Sequence, residues 1–429
     1  TRLEGYDALG QRVSSTDPLG NSTQYQWDAL GRLTQVTDAL GGTTKQTWDA
    51  HDNLLSVTDA KGNTHQFAYD KAGRQIKETR PLGGVIQTVW DAAGQLSQRT
   101  NAGGNQTVYT WDAGGNLTQT QAKLAGGQVD ETTTFTYNSD GELTAYEQKN
   151  GQGSLISSAS YTLDALGRRL QSQLTYAKVG GGTFTHTLAQ GFSPDGQLQS
   201  QQYPDGSQQT FAYDKGLLKQ IQLPATGQSI GIDSYEWLFP KQISTPGATI
   251  TQTPDALQRF AGIKVQAKAS SSPVLLNRTY QYDAAGGVTQ IDSDIGKTDY
   301  AYDKLNRLTQ ATPDNALQAK GLVQEQYSYD AAGNRLSSAH QTGTWAYNAD
   351  NQLTQYPRTI DASVPGSATE QTDVSYTPQG HTQRESSTTW QRNYGYNAGE
   401  RLTEVAQGPA SGTNLTVRYR YDPFGRRIA

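Results

Sequence analysis

Forty acidic side chains and five histidines are this sequence's best candidates for chemistry, because it contains no cysteine. That absence removes disulfide frameworks, thiolate metal sites and cysteine nucleophiles together. His51, His65, His186, His340 and His381 are scattered with no pair at ligand spacing, so they read as strand or loop residues. The aspartates are ordered. Tyr6-Asp7, Trp27-Asp28, Trp48-Asp49, Tyr69-Asp70, Trp90-Asp91 and Trp111-Asp112 follow one another in steps of 21 residues. A glycosidase needs two carboxylates at one unique site, and repetition is the opposite of uniqueness. An EF-hand gathers several oxygens within about 12 residues, whereas each of these Asp-x-x-Gly stretches offers one. Gly180-Gly181-Gly182 lacks the lysine of a phosphate loop. No catalytic, cofactor-binding or metal-binding residue is assigned, and no enzymatic activity is expected.

The aspartates read instead as parts of turns. In Asp28-Ala29-Leu30-Gly31 the Asp and Gly hold the first and fourth positions that a type I turn prefers. Tyr6-Asp7…Gly10, Tyr69-Asp70…Gly73 and Trp90-Asp91…Gly94 repeat the pattern, and so do Tyr282-Asp283, Tyr302-Asp303, Tyr329-Asp330 and Tyr421-Asp422…Gly425. Proline favours the second turn position, and Pro18, Pro81, Pro194, Pro204, Pro378 and Pro423 all stand there. A second phrase, such as Thr37-Asp38-Ala39-Leu40-Gly41, alternates with the first, so turns recur about every 10 residues, as in antiparallel hairpins.

The strands between turns alternate. Tyr25 and Trp27 share a face opposite Gln24 and Gln26, and the two-apart aromatic pair returns as Phe67/Tyr69, Tyr280/Tyr282 and Tyr419/Tyr421. This predicts a buried aromatic face, a Gln/Thr face toward water, and cross-strand stacking that joins units into an aromatic ladder. Exposed rows of Tyr and Trp could alternatively stack on sugar rings. Beyond residue 120 the spacing loosens, most of all over 217–280, which predicts loops of varying length. "NGQGSLISSAS" and "VGGGTFTH" read as long hairpin loops.

The bulk numbers agree with a thin, repetitive structure. Hydrophobic residues make up 34%, too few for an ordinary core, yet aromatics reach 9% and the period is strict, which argues against disorder. A net charge of -5 argues against nucleic acid or an anionic membrane as partner, and no apolar run approaches a membrane span. With no methionine, the chain reads as an internal or processed piece of something longer. About 38 strands spaced about 4.8 Å apart would close as one ring near 60 Å across. A propeller, whose blades hold four strands, shows its signature once per blade, and here it comes twice.

At "WDALGRLTQVTDALGG", "YDKAGRQ", "YDAAGNRL" and "YRYDPFGRRIA" the chain resembles the Rhs/YD-repeat family: bacterial Rhs polymorphic toxins, the C component of Tc toxins, and teneurins. The resemblance covers essentially all of 1–429, read as a single array with regular units over 1–120 and looser ones over 121–429. It implies an all-β fold in which YD-repeat antiparallel β-hairpins form one long spiralling sheet wound into a hollow shell, or cocoon. It implies as partners an enclosed C-terminal toxin domain, absent from this chain, together with an immunity protein and secretion-apparatus components. Such a protein is made in the bacterial cytoplasm and secreted, delivered to a target cell or held at the cell surface. A toxin domain of about 130 residues, about 35 Å across, would fit a ring of the size above. The family's self-cleavage motif is Asp-Pro-x-Gly-x-x-Gly-Gly. Asp422-Pro423-Phe424-Gly425 matches its first half, but Arg426, Arg427 and Ile428 follow, so the stretch reads as one more turn. A surface adhesin is the alternative role.

Overall fold

The structure is a computed structural model that describes residues 1–178, 180–224, 226–269, 271–339, 341, 343–359 and 369–428. His340 lies outside them. Among the described residues there are 37 strands, from Leu3–Tyr6 to Leu415–Arg418, and one short helix, Asn315–Gln318. The first 30 strands form one continuous antiparallel sheet in chain order, and the last seven form a second.

Each hairpin is set by its turn. Between Ser22–Trp27 and Leu33–Thr37, the Gly31 N–H donates to the Asp28 carbonyl at 3.1 Å and the Asp28 N–H to the Arg32 carbonyl at 2.9 Å. Gly31 has φ +80°, so this is a type I turn closed by a left-handed residue and a bulge, after which Trp27 opposes Leu33. All six proline turns carry the same N–H to carbonyl bond across four residues. Gln258 occupies the left-handed position at φ +61° with a Cβ that crowds its own backbone. Gln258→Gly is expected to stabilise this hairpin by about 0.5–1 kcal/mol, the relief of strain less glycine's entropy. Slower amide exchange in Ala248–Ala267 would register the gain, and faster exchange would contradict it.

Much of the variable spacing lies in the strands, which corrects the sequence expectation for the stretches at 150 and 178, while the connection between Leu308–Pro313 and Glu325–Tyr329 varies as expected and holds the helix. Asn150–Ser154 is a tight turn, the Lys178 N–H donates to the Gly182 carbonyl at 3.0 Å, and the residues that follow belong to the strands Leu155–Leu163 and Thr183–Phe192. Longer repeats lengthen the ladder because each added residue then gains a pairing partner.

Successive hairpins do not lie parallel. Leu33–Thr37 pairs with Thr43–Trp48 at only three positions, Gln35↔Lys45 to Thr37↔Thr43, beside the Thr-Asp turn. Toward the Tyr-Asp turn the strands splay. Repeated down the chain, this wedge curves the sheet until it meets itself. The edge of Thr-Asp turns at residues 17–131 touches the edge of Tyr-Asp turns at residues 303–400, across separations of 266–299 residues. From Ser22–Trp27 to Gly296–Tyr302, about 25 strands complete one winding, which gives a tube about 38 Å across between backbones. The single wide ring expected above is therefore a narrower spiral. Its accessible surface is 23649 Å², against about 16,000 Å² for a compact chain of this mass, as a thin wall requires.

Candidate functional site

The site is the wall itself: its inner face, its turns and the seam between windings. Gln24, Gln26, Lys45 and Thr47 are exposed, while Tyr25, Trp27, Gln46 and Trp48 are half-buried with no second layer over them. That is the accessibility of the concave side of a curved sheet, where side chains crowd together. The aromatic face thus lines the lumen and is only half-buried, unlike the buried face expected.

Among the described residues the rings meet only locally, as Phe239, Phe260 and Tyr280 do at 6.3 and 5.3 Å, and not as a continuous stacked ladder, so this expectation is also corrected. Many of the aromatics next to the turn aspartates instead fill the wedge between hairpins and hydrogen-bond to a carbonyl that splaying has left without a ladder partner. The Trp48 indole N–H donates to the Leu33 carbonyl at 2.8 Å, Trp27 to Arg12 at 2.9 Å, Trp90 to Gln75 at 3.0 Å and Trp111 to Leu96 at 2.8 Å. The hydroxyls of Tyr69, Tyr282, Tyr302 and Tyr329 donate likewise to Leu54, Phe260, Val288 and Leu308. Tyr6, at the open first strand, is 61% exposed. Arginines add a second staple. Arg32 donates to the Asp49 carbonyl of the next unit, and Arg307 to that of Asp330 at 3.2 Å while lying 4.6 Å over the Tyr329 ring. Tyr302→Phe removes only the hydroxyl and strands the Val288 carbonyl. The expected cost is about 1–2 kcal/mol, seen as faster amide exchange in Val288–Ser293 and Gly296–Tyr302.

Asp7, Asp28, Asp49, Asp70, Asp91, Asp112, Asp283, Asp303, Asp330 and Asp422 all stand at the head of a turn. Gly10, Gly31, Gly73, Gly94 and Gly425 close theirs with φ between +75° and +84°. Asp28 Oδ1 accepts the N–H groups of Leu30 and Arg32 at 2.9 and 3.0 Å, and Oδ2 accepts Arg32 Nε at 2.8 Å. These donors hold Asp28 below the ordinary carboxylate range. Side-chain bonds from Asn53, Arg74 and Asn116 do the same for Asp49, Asp70 and Asp112. Carboxylates so occupied are turn locks, each repeated, none converging with another. His186 lies between the Tyr176 and Phe184 rings, and His381 stacks on Tyr396 at 4.8 Å.

The seam was not foreseen from the sequence. Asn351 donates to Asp59 at 3.0 Å, Lys61 pairs with Asp330 at 3.0 Å, and the Leu82 N–H donates to Asp350 at 3.1 Å. Arg80 donates to the Gln379 carbonyl, Asn101 to Glu400 at 2.7 Å, Asn397 to Glu131 at 3.0 Å and the Ala398 N–H to Asp130 at 2.8 Å. Every carboxylate here meets a donor. Two aspartate turns face to face would repel; at the seam Arg80, Asn101, Asn348, Thr377 and Asn397 stand at the Asp position, while Asp59 and Asp330 keep theirs with Asn351 and Lys61 as donors. Those departures were the available signal.

Beyond Asn397 the seam widens into a cavity of about 710 Å³ lined by Asp130, Glu131, Lys178, Tyr396 and Arg420. The last turn tucks against the inner face beside it. Asp422 is fully buried and paired with Arg426, its carbonyl accepts from Arg401, and Phe424 meets Tyr146 edge-on at 5.4 Å.

A curved, hairpin-repeat wall closed by a seam of turns defines the class, a YD-repeat shell. The chain belongs to the Teneurin YD-shell family, whose pattern matches residues 195–429, and RHS Repeat patterns match 6–43, 48–85 and 90–129. It is similar to double-stranded DNA deaminase toxin A of Burkholderia cenocepacia (strain H111), with 29% identity over 237 residues, 52% of this chain and 15% of that protein. The crystal structure of TcdB2–TccC3 without its hypervariable C-terminal region matches 98% of this chain and 28% of its own, at 15% identity and TM-score 0.62. The Photorhabdus luminescens Tc holotoxin pore matches 98% of this chain and 27% of its own, at 14% identity and TM-score 0.62. At such identities the solved structures share the fold, and this chain spans a minor part of each relative.

Among the described residues no helix is long and apolar enough to cross a membrane.

Proposed function

We propose that this chain is the non-catalytic wall of a bacterial Rhs-type toxin shell, which sequesters a C-terminal toxic domain from the producing cell until delivery. The single observation that carries the reading is the seam, because a sheet that closes on itself through matched turns separates inside from outside. The toxin-named relative supports the class of protein. An immunity protein and a secretion apparatus follow as partners, with synthesis in the cytoplasm and export to a target cell. The glycan-binding alternative finds less support, because the indole N–H groups of Trp27, Trp48, Trp90 and Trp111 and the hydroxyls of Tyr69, Tyr282, Tyr302 and Tyr329 are already bonded to the wall.

The narrower winding changes what such a wall could hold. A compact domain of about 130 residues is about 35 Å across, and side chains reduce a lumen of about 38 Å by about 10 Å. Cargo within this winding is accordingly held in a less compact form, or partly beyond it.

Limited proteolysis of the native protein that contains this wall tests the reading. The enclosed domain should resist digestion in the intact protein and lose protection in Asp330→Lys, which sets two lysines against each other at the seam. Equal digestion rates for the enclosed domain in both proteins would refute it.

A further inference from the structure

Most turns of this wall are closed by glycine, which adopts a positive φ at little cost because it has no side chain. Two turns of the second winding that rest on the seam are closed otherwise. Asn351 holds the position at φ +57° and Glu400 at φ +65°. Asparagine tolerates that conformation better than most residues, whereas the Cβ of glutamate crowds its own backbone there. A residue kept in place against its backbone preference needs a reason in its side chain.

Both side chains reach across the seam to the head of a turn in the first winding. Asn351 Nδ2 donates to Asp59 Oδ2 at 3.0 Å, and Glu400 Oε1 accepts from Asn101 Nδ2 at 2.7 Å. Polarity is matched each time: an amide meets the carboxylate, and a carboxylate meets the amide. Asn351 also closes a circuit of polar contacts. Its Oδ1 accepts from Asn334 at 2.9 Å, Asn334 donates to Asp330 at 2.8 Å, Asp330 pairs with Lys61 at 3.0 Å, and the Lys61 N–H returns to Asp59 at 2.9 Å. Asn306, at φ +60°, stands likewise beside Asp17, whose carboxyl is lowered by the Asn21 side chain and further by the Asn306 amide. The heads so met, Asp17, Asp59 and Asn101, are 42 residues apart, two repeats each time. Gln258, at the same turn position in the first winding, is exposed.

We propose that Asn351 and Glu400 fasten the second winding onto the first and fix its register, each by recognising the carboxylate or amide at the head of the turn it faces. Glycine at either position would make a sound hairpin and a loose seam. A winding displaced by two repeats would set Glu400 against Asp59, carboxylate on carboxylate, so the pairing also rejects that register. The inference holds whatever the lumen contains.

Hydrogen exchange of the full chain tests this. The Leu82 and Ala398 amides donate across the seam to Asp350 and Asp130. In the combined variant Asn351→Gly and Glu400→Gly they should exchange about tenfold faster, the effect of losing about one hydrogen bond at each site. The ladders of the two hairpins concerned, Ala346–Tyr347 with Leu353–Thr359 and Trp390–Tyr396 with Leu402–Pro409, should keep their protection or gain some. Asn351→Asp alone should speed exchange at Leu82, because it sets a carboxylate against Asp59. Adding Asp59→Asn should restore protection, since the swapped pair reproduces the Asn101–Glu400 contact. Unchanged exchange at Leu82 and Ala398, loss of the hairpin ladders together with the seam, or a swapped pair that fails to restore protection would each overturn the proposal.

Discussion

Tyr146→Ala should cost about 3–5 kcal/mol, the largest loss from one substitution in this wall. Most wall residues are half-exposed, but Tyr146 is 2% exposed and packs with Ala159, Tyr161 and Leu174, flanked by Phe135, Leu143, Leu163, Tyr176 and Leu188. This cluster exists because the strands from Val129 to Phe192 are among the longest and the last turn covers them with Phe424. Burial pushes the Tyr146 hydroxyl up to about 12, in keeping with an enclosed ring. In a repeat array the damage is local, because each unit is held chiefly by its neighbours. Hydrogen exchange should therefore accelerate in Leu143–Ala177 and in the Asp422–Arg426 turn while Leu33–Thr79 is unchanged. Tyr146→Phe, which keeps the ring, should retain most of the protection. Uniform acceleration along the chain, or none, would contradict the local cluster.

Acid should weaken the wall by a different route. Asp17, Asp28, Asp49, Asp70 and Asp112 lie below the ordinary 3.8 because side-chain and backbone donors bind their charged forms. At the seam, burial pushes Asp59 and Asp330 up, but amide donors from Asn351 and Asn334, with Lys61 beside Asp330, more than offset it. A carboxylate with a lowered native value binds fewer protons folded than unfolded. Its contribution is complete above the ordinary value and disappears as pH falls through the lowered one. The melting temperature should thus be flat from neutrality to about pH 5 and fall progressively below about pH 4. Glu131 runs the other way: burial raises it, so its protonation relieves a cost and softens the onset. Melting curves on Asp28→Asn and Asp70→Asn chains should show a shallower acid limb than wild type. An unchanged limb would show that these turn carboxylates do not govern it.

Much of this wall was legible in the residues. The Asp-x-x-Gly spacing announced the turns, six prolines checked them, and the two-residue alternation put the aromatics on one face. Each of these rests on interactions within a few residues, where local geometry and residue type suffice. The partners of the aromatics were not legible, because Trp48 finds its carbonyl only once the strands splay. The number of strands in a winding depends on the angle added at each wedge, a small quantity summed over about 25 strands that no single repeat encodes. The seam pairings follow from that sum alone. Asn101 meets Glu400, and Asn351 meets Asp59, across nearly 300 residues because of where the spiral returns. Composition and spacing determined a curving hairpin wall; only the tertiary structure decided where it closes, since closure is set by accumulated curvature and not by any local preference.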